Sequence, residues 1–306
     1  MRASIIIASY NHEIYIASCL ESIFAQTFDD IEIVLIDDSS TDDSFAIASA
    51  TLSQPRYQAR FTSIIVEANP INLGAAATWN RAIARASGDL IFLLNSDDVY
   101  SETRVETFVK RWRQRAIYFG FSYTIPIDEN GREPGTAAAA DIKYRPARLL
   151  HRTATTSWPL LEFNITITTG NFVFTKRLFE AIGGFSDLKY CHDWSFALRA
   201  ATLVEPDLLQ SSHYFYRLHA TNSFLQLAAL AEDEAVQCYL DYARMAIRRA
   251  PANRLCLSPH NQGPAFWTIA ELAPSFRSWL VGHYRPYQAY HRTITAGHHT
   301  TGLRLP

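Results

Sequence analysis

Two adjacent carboxylates follow an apolar run in Leu90-Ile91-Phe92-Leu93-Leu94-Asn95-Ser96-Asp97-Asp98. Neighbouring carboxylates repel, so keeping both ionised at a strand end takes a cation or donor groups to offset them. A divalent metal carrying a diphosphate is one such offset, since hard oxygen ligands suit Mg²⁺ or Mn²⁺. A polar turn capping the next helix is the other. A second pair, Asp37-Asp38, is open to the same two kinds of reading. Asp38 is placed to accept from a pyrimidine N–H, and both residues are suited to Asx-turn capping. In His192-Asp193-Trp194 a carboxylate at a helix start beside an aromatic wall suits a general base. It equally suits an N-cap, because Trp194, Ala197, Leu198 and Ala201 form an apolar face just downstream. Arg217 and His219 alternate on one strand face, where they would approach a diphosphate, or His219 a metal; a strand histidine serves structure as well. In Asn72-Leu73-Gly74 the glycine either lets backbone N–H groups approach an anionic ligand or forms an ordinary turn.

The elements that must position these residues alternate along the first hundred positions. Ser4–Ala8, Ile31–Ile36, Phe61–Glu67 and Asp89–Leu94 read as strands, and Ile14–Gln26, Asp42 to about Leu52 and Ala75–Ala86 as helices. Near-continuous apolar strands alternating with helices indicate a mostly parallel sheet covered on both faces. Ligands of such sheets gather outside the carboxyl ends of the strands, where both acidic pairs fall. Further helices are expected over Glu102–Arg113, Lys176–Ala181, from near Asp193, and as one long amphipathic helix over Leu225–Arg249; a strand is expected near Ser212–Tyr216. Residues 128–157 read as a weakly patterned excursion.

The chain has 306 residues, 48% hydrophobic and 19% charged, with a formal charge of −2. That size allows one large domain or one with an appendage, and the charge argues against nucleic acid as a partner. Cys19, Cys191, Cys238 and Cys256 show no metal-ligand spacing, which fits a reducing compartment. There is no signal-peptide pattern at the N-terminus, and no apolar run approaches the roughly 20 residues of a spanning helix. The expected address is the cytosol, with the inner face of a membrane as the alternative. The first strand leads into Ser9-Tyr10-Asn11-His12 rather than a glycine-rich turn, and there is no GxxxxGK[ST] loop, so a dinucleotide or P-loop site is disfavoured.

Taken in order, Ser4-Ile5-Ile6-Ile7-Ala8-Ser9-Tyr10-Asn11, Ile36-Asp37-Asp38-Ser39-Ser40-Thr41-Asp42, Asn72-Leu73-Gly74, Asn95-Ser96-Asp97-Asp98 and Gly183-Gly184-Phe185 with His192-Asp193-Trp194 resemble family 2 glycosyltransferases. The resemblance covers roughly residues 3–222. It implies an α/β GT-A fold over 1–222, leaving 223–306 as a helical, arginine- and aromatic-rich appendage. It also implies an inverting enzyme that uses a nucleoside diphosphate sugar, a UDP-sugar by default, and Mn²⁺ or Mg²⁺. On that basis Ala8, Ser9, Tyr10, Asp38, Asn72, Gly74, Asp97 and Arg217 would bind donor, and Asp98 with His219 would bind metal. Asp193 would be the base, and Gly170, Asn171, His192 and Trp194 would border the acceptor. Many relatives carry an acidic residue where this chain has Asn95, which makes its acidic cluster one charge lighter.

From Met245 to Pro306 there are seven arginines and one acidic residue, Glu271. This tail fits either an anionic membrane surface, suited to a lipid-linked saccharide acceptor, or a solvated appendage or dimer contact. Two other functions compete with the transferase: a non-catalytic nucleotide-sugar-binding protein, and a metal-dependent nucleotidyl transferase or hydrolase. The second has no need of the Gly183–Trp194 block.

Overall fold

The computed structural model describes residues 1–271, 273–284 and 288. Strands β1 (Ala3–Ser9), β2 (Ile31–Asp37), β3 (Ser63–Ala68) and β4 (Leu90–Asn95) pair in parallel. With β5 (Val99–Tyr100), β6 (Phe119–Ile127), β7 (Val173–Thr175) and β8 (Asp207–Arg217) they form one sheet in the order β3-β2-β1-β4-β7-β6-β8-β5. β7 runs antiparallel to β4 and β6, β5 antiparallel to β8, and β8 parallel to β6. The expected parallel sheet therefore holds for the first four strands, and the second half is mixed.

The helices are α1 (Ile16–Phe24), α2 (Ser44–Leu52), α3 (Pro55–Arg60), α4 (Ala75–Arg85), α5 (Arg104–Trp112), α6 (Ala137–Leu150) and α7 (Lys176–Ile182). They continue with α8 (His192–Leu203), α9 (Ser223–Gln226), α10 (Ala231–Ala246), α11 (Pro259–Gln262), α12 (Ala265–Ala270) and α13 (Pro274–His283). Period-2 alternation divides the central strands between two cores. Ile5 and Ile7 of β1 and Phe92 of β4 face the core under α1 and α5. Ile6, Ile91 and Leu93 face the other, which also holds α4, α8, α10 and α13. The C-terminal helices thus share a continuous core with α8. Residues 289–306, the end of the arginine- and aromatic-rich tail, lie outside the described residues. Among the described residues no helix is long and apolar enough to cross a membrane.

Three local expectations change. The 128–157 excursion contains α6, whose N-cap Thr136 accepts the Ala139 N–H at 3.2 Å. Its alanines are helix formers, and Arg145 lies 3.9 Å over the Phe163 ring. The long helix expected over Leu225–Arg249 is broken at Leu227 (φ −103°, ψ 5°), giving α9, a 3₁₀ turn and then α10. The whole of β6 escaped the pattern, because Gly120, Pro126 and register shifts around Tyr123 interrupt its alternation.

Candidate active site

Adjacency of β1 and β4, with Ala8 opposite Asn95, brings the turn after β1 beside the acidic turn after β4. The end of β8 reaches the same place. His219 Nε2 lies 2.9 Å from Asp97 Oδ2, and His12 Nε2 lies 3.7 Å from the same oxygen. The other nitrogen of each ring is tethered: His12 Nδ1 to Ser96 Oγ and His219 Nδ1 to Thr221 Oγ1, at 2.7 and 2.8 Å. Anchoring one ring nitrogen so that the second faces a common point is how proteins orient metal-binding histidines. Tyr15 completes the cluster, its ring centroid 4.8 Å from that of His219.

Two observations test whether a cation fits. Asp97 Oδ1 is buried and has no hydrogen-bond partner. His219 Nε2 faces both the Asn222 amide nitrogen, at 3.0 Å, and the Asp97 carboxylate. Asn222 cannot flip cheaply, because its oxygen accepts the His219 N–H and its nitrogen donates to the Arg217 carbonyl. A lone pair at Nε2 satisfies Asn222 but leaves two acceptors facing each other across to Asp97, a conflict that a cation resolves. His12, Asp97 and His219 offer ligand atoms within 4.8 Å of one another. The donor set is that of a divalent first-row metal.

Asp98 has the opposite environment. It is fully buried, and Oδ2 accepts the Tyr214 hydroxyl at 2.5 Å and Asn95 Nδ2 at 2.9 Å, while Oδ1 accepts the Arg217 N–H at 2.7 Å. Burial and the Asp97 charge hold its carboxyl well above the ordinary range, despite those donors. Burial also opposes ionisation of Asp97, but its neighbours His12 and His219 outweigh it and lower that carboxyl. The repelling pair is resolved by turning one carboxylate to the histidines and the other into the core. Asp98, which the resemblance assigns to the metal, spends its carboxylate on three internal donors on the core side of the turn. Asn95 acts on that inner side too, its amide donating to Asp98 and to Thr168 Oγ1, so an aspartate there would set a third carboxylate against Asp98.

Asp193 lies in the first turn of α8. Oδ2 accepts from Asn164 Nδ2 at 2.9 Å, and Oδ1 accepts the Trp194 N–H at 2.6 Å. Burial raises its carboxyl, partly offset by His192, the Trp194 N–H and Asn164. His192 Nε2 lies 2.9 Å from Thr169 Oγ1, and its Nδ1 is buried without a partner. Trp194 donates its indole N–H to the Leu160 carbonyl and meets Tyr239 of α10 edge-on at 5.4 Å, which makes it part of the core beside the site. Between base and acidic turn runs one segment, where Ile167 sits in the left-handed region (φ 71°), a strained conformation for a β-branched residue.

The remaining expected residues divide. Tyr10 is 44% exposed at the end of β1, presenting a free aromatic face, with half-buried Ala8 and buried Ser9 behind it; Ser9 Oγ has no partner. The Asp38 carboxylate accepts from Asn69 Nδ2 and from the N–H groups of Leu73 and Gly74, at 2.6, 2.8 and 2.9 Å. It therefore shapes the Asn69–Gly74 loop, and the Gly74 N–H is already engaged. Asn72 donates to the Asp38 carbonyl. Arg217 spends its guanidinium on the carbonyls of Asp97, Asp128 and Glu129 and lies over Tyr15, so it ties the loops together instead of presenting charge to a diphosphate. Asn171 is fully buried, bonded to Arg104, Ser122 and the Thr166 carbonyl, which leaves it no face for an acceptor. Gly170 is buried where a Cβ would collide with the Tyr214 hydroxyl and come within 2.7 Å of the Asn95 nitrogen. His12, Asn164, Thr168 and Thr169 were not singled out by the sequence.

The same architecture occurs in solved glycosyltransferase structures. S. aureus TarS 1-349, in complex with UDP-GlcNAc, matches 92% of this chain and 80% of its own with a TM-score of 0.63 at 18% identity. The mannosyltransferase PcManGT from Pyrobaculum calidifontis, in complex with GDP-Man and Mn²⁺, matches 97% and 80% with a TM-score of 0.60 at 16% identity. These likenesses define a GT-A glycosyltransferase fold. Residues 4–183 match the model of glycosyl transferase family 2, and the chain belongs to that family. Among curated relatives, an uncharacterized glycosyltransferase of Nostoc sp. is 25% identical over 77% of this chain and 70% of its own length. The E. coli UDP-Glc:alpha-D-GlcNAc-diphosphoundecaprenol beta-1,3-glucosyltransferase WfaP is 34% identical over 39% of this chain and 44% of its own.

Proposed function

We propose that this family 2 glycosyltransferase is an inverting enzyme moving a sugar from a nucleoside diphosphate sugar, a UDP-sugar by default, to an acceptor hydroxyl. The observation that carries this reading is one short segment bonded to both halves of the site. Asn164 holds Asp193 and Thr169 holds His192, while Thr168 accepts from Asn95 beside the acidic turn. A base on one side and a diphosphate-binding cluster on the other are what single displacement requires.

Asp193 takes the proton of the acceptor hydroxyl as its oxygen attacks the anomeric carbon, and the bond to the diphosphate breaks on the opposite face, inverting the configuration. The raised carboxyl of Asp193 makes it a stronger base than an exposed aspartate. Asn164 fixes its orientation, Thr169 holds His192 beside it, and Tyr10 offers a ring for the nucleobase. His12, Asp97 and His219 would hold a divalent cation, and of the two expected ions Mn²⁺ suits two imidazoles better than Mg²⁺. When bound, the metal supplies charge neutralisation for the leaving diphosphate.

The acceptor class we favour is a saccharide or lipid-linked saccharide of a surface polysaccharide or glycoconjugate, supported by the lipid-linked substrate in the name of WfaP. Peripheral membrane contact through the arginine-rich tail belongs to the same reading, and flotation with anionic but not zwitterionic vesicles tests it. Asp193→Asn tests the reaction, assayed with UDP-sugars and saccharide acceptors. Transfer falls by a factor on the order of 10² or more with donor binding retained; wild-type transfer would overturn the base.

A further inference from the structure

The three N–H groups leading into α8 have no cap from their own segment: Cys191 at the N-cap supplies no side-chain bond. They are bonded instead by a carboxylate more than forty residues later. Glu234, on the first turn of α10, accepts the Lys189 N–H on Oε1 at 2.9 Å and those of Tyr190 and Cys191 on Oε2 at 2.8 and 2.7 Å. One turn on, Cys238 Sγ donates to the Cys191 carbonyl at 3.7 Å, and the Cys191 thiol donates back to the Ala231 carbonyl at 3.9 Å. Tyr239 then anchors to the Leu161 carbonyl at 2.8 Å and packs on Trp194. Both polar sides of the turn that delivers His192 and Asp193 are thus held by one face of α10.

A carboxylate at a helix start is the natural partner of that helix's unpaired N–H groups. Asp193 is such a carboxylate, already bonded to the Trp194 N–H. Were the preceding N–H groups free, they would compete for it and turn it back along its own backbone. Glu234 removes that competition. Resting on the reading of Asp193 as base, we infer that Glu234 is a positioning residue: it ties down the turn before α8 from α10 so that the Asp193 carboxylate stays turned toward Asn164 and the acceptor. The C-terminal helices are then part of the catalytic apparatus. The titratable groups facing Asp193 are His192 on its own helix, Tyr190 on the preceding turn, Tyr216 on β8 and Cys238 on α10.

The test uses the full chain with the UDP-sugar that gives turnover. Glu234→Ala lowers kcat by about tenfold or more, as a displaced base does, with the donor KM within about twofold of wild type. It also shifts the acid limb of kcat to lower pH, because the freed N–H groups favour ionised Asp193. Asp233→Ala, an exposed neighbour on the same helix turn, leaves kcat and the limb in place. If Glu234→Ala fails to fold, Glu234→Gln is measured, with a smaller change of the same sign. Wild-type kcat and limb in the Glu234 variant that folds, or the same change in Asp233→Ala, would overturn the inference. An active Asp193→Asn would show that the underlying base reading had failed; an inactive Asp193→Asn beside a wild-type-like Glu234 variant would sink this inference alone.

Discussion

His219 Nε2 and Asp97 Oδ2 stand 2.9 Å apart although 122 residues separate them. The contact exists because β5, directly after the acidic turn, pairs with the end of β8, and it gives the acidic turn its direction: Asp97 faces the imidazoles and Asp98 faces the core. That division of labour leads to different expected outcomes for the two neighbours and for the histidines.

His219→Ala is expected to weaken Mn²⁺-dependent binding of UDP more than His12→Ala does, since His219 lies 2.9 Å and His12 3.7 Å from the shared carboxylate oxygen. Losses on the order of tenfold or more are expected for direct ligands. Isothermal titration with and without Mn²⁺ measures both; equal UDP affinity in both variants and wild type would exclude the cluster.

Asp98→Ala is expected to act on stability. It strips the acceptor from Tyr214, Asn95 and the Arg217 N–H, all inside the fold. A cost of about 3 kcal/mol follows, and a fall in Tm on the order of 5–10 °C. Thermal denaturation checks it; an unchanged Tm with lost metal binding would return Asp98 to the ligand role.

Much of this was legible in the sequence, and the limits are physical. An apolar run ending in Asp97-Asp98 marks a strand end and an acidic site by local pattern alone. Which carboxylate turns inward depends on Tyr214 and Arg217, which no local pattern brings near. His12 carries no local signal, because its turn shows only a lack of glycines; its place at the site follows from β1 lying beside β4. Arg217 was legible as a cation at the site, but its Nε and Nη1 donors find backbone carbonyls in loops whose course no spacing reveals. Asp193 was legible as helix-start carboxylate, whereas its partner Asn164 lies in a turn without periodicity.

The pH dependence of kcat reports on Asp193. Burial raises its carboxyl above the ordinary value, so the ionised base accumulates only as pH rises through that higher value. The acid limb of kcat is expected above the range of an exposed aspartate, with activity lost as pH falls through it. Asn164 donates to the ionised form, so Asn164→Ala moves the limb further up. A limb that stays put in Asn164→Ala would contradict this assignment.

Gly170→Ala is expected to disturb the acidic turn from behind. The added methyl meets the Tyr214 hydroxyl that supports Asp98 and the Asn95 backbone nitrogen. Both Tm and Mn²⁺-dependent UDP binding are expected to fall, a cost of about 1–3 kcal/mol in stability for overpacking. A variant with wild-type Tm and binding would show that the turn yields freely.

The central claim is that Asp97, between two histidines, holds the cation that binds the donor diphosphate. Isothermal titration of UDP into wild type and Asp97→Ala, each with and without Mn²⁺, tests it most directly. The expected result is tight binding to wild type only with Mn²⁺, and no Mn²⁺ effect in Asp97→Ala at near-wild-type Tm. Equal Mn²⁺-dependent binding in the two proteins would contradict it.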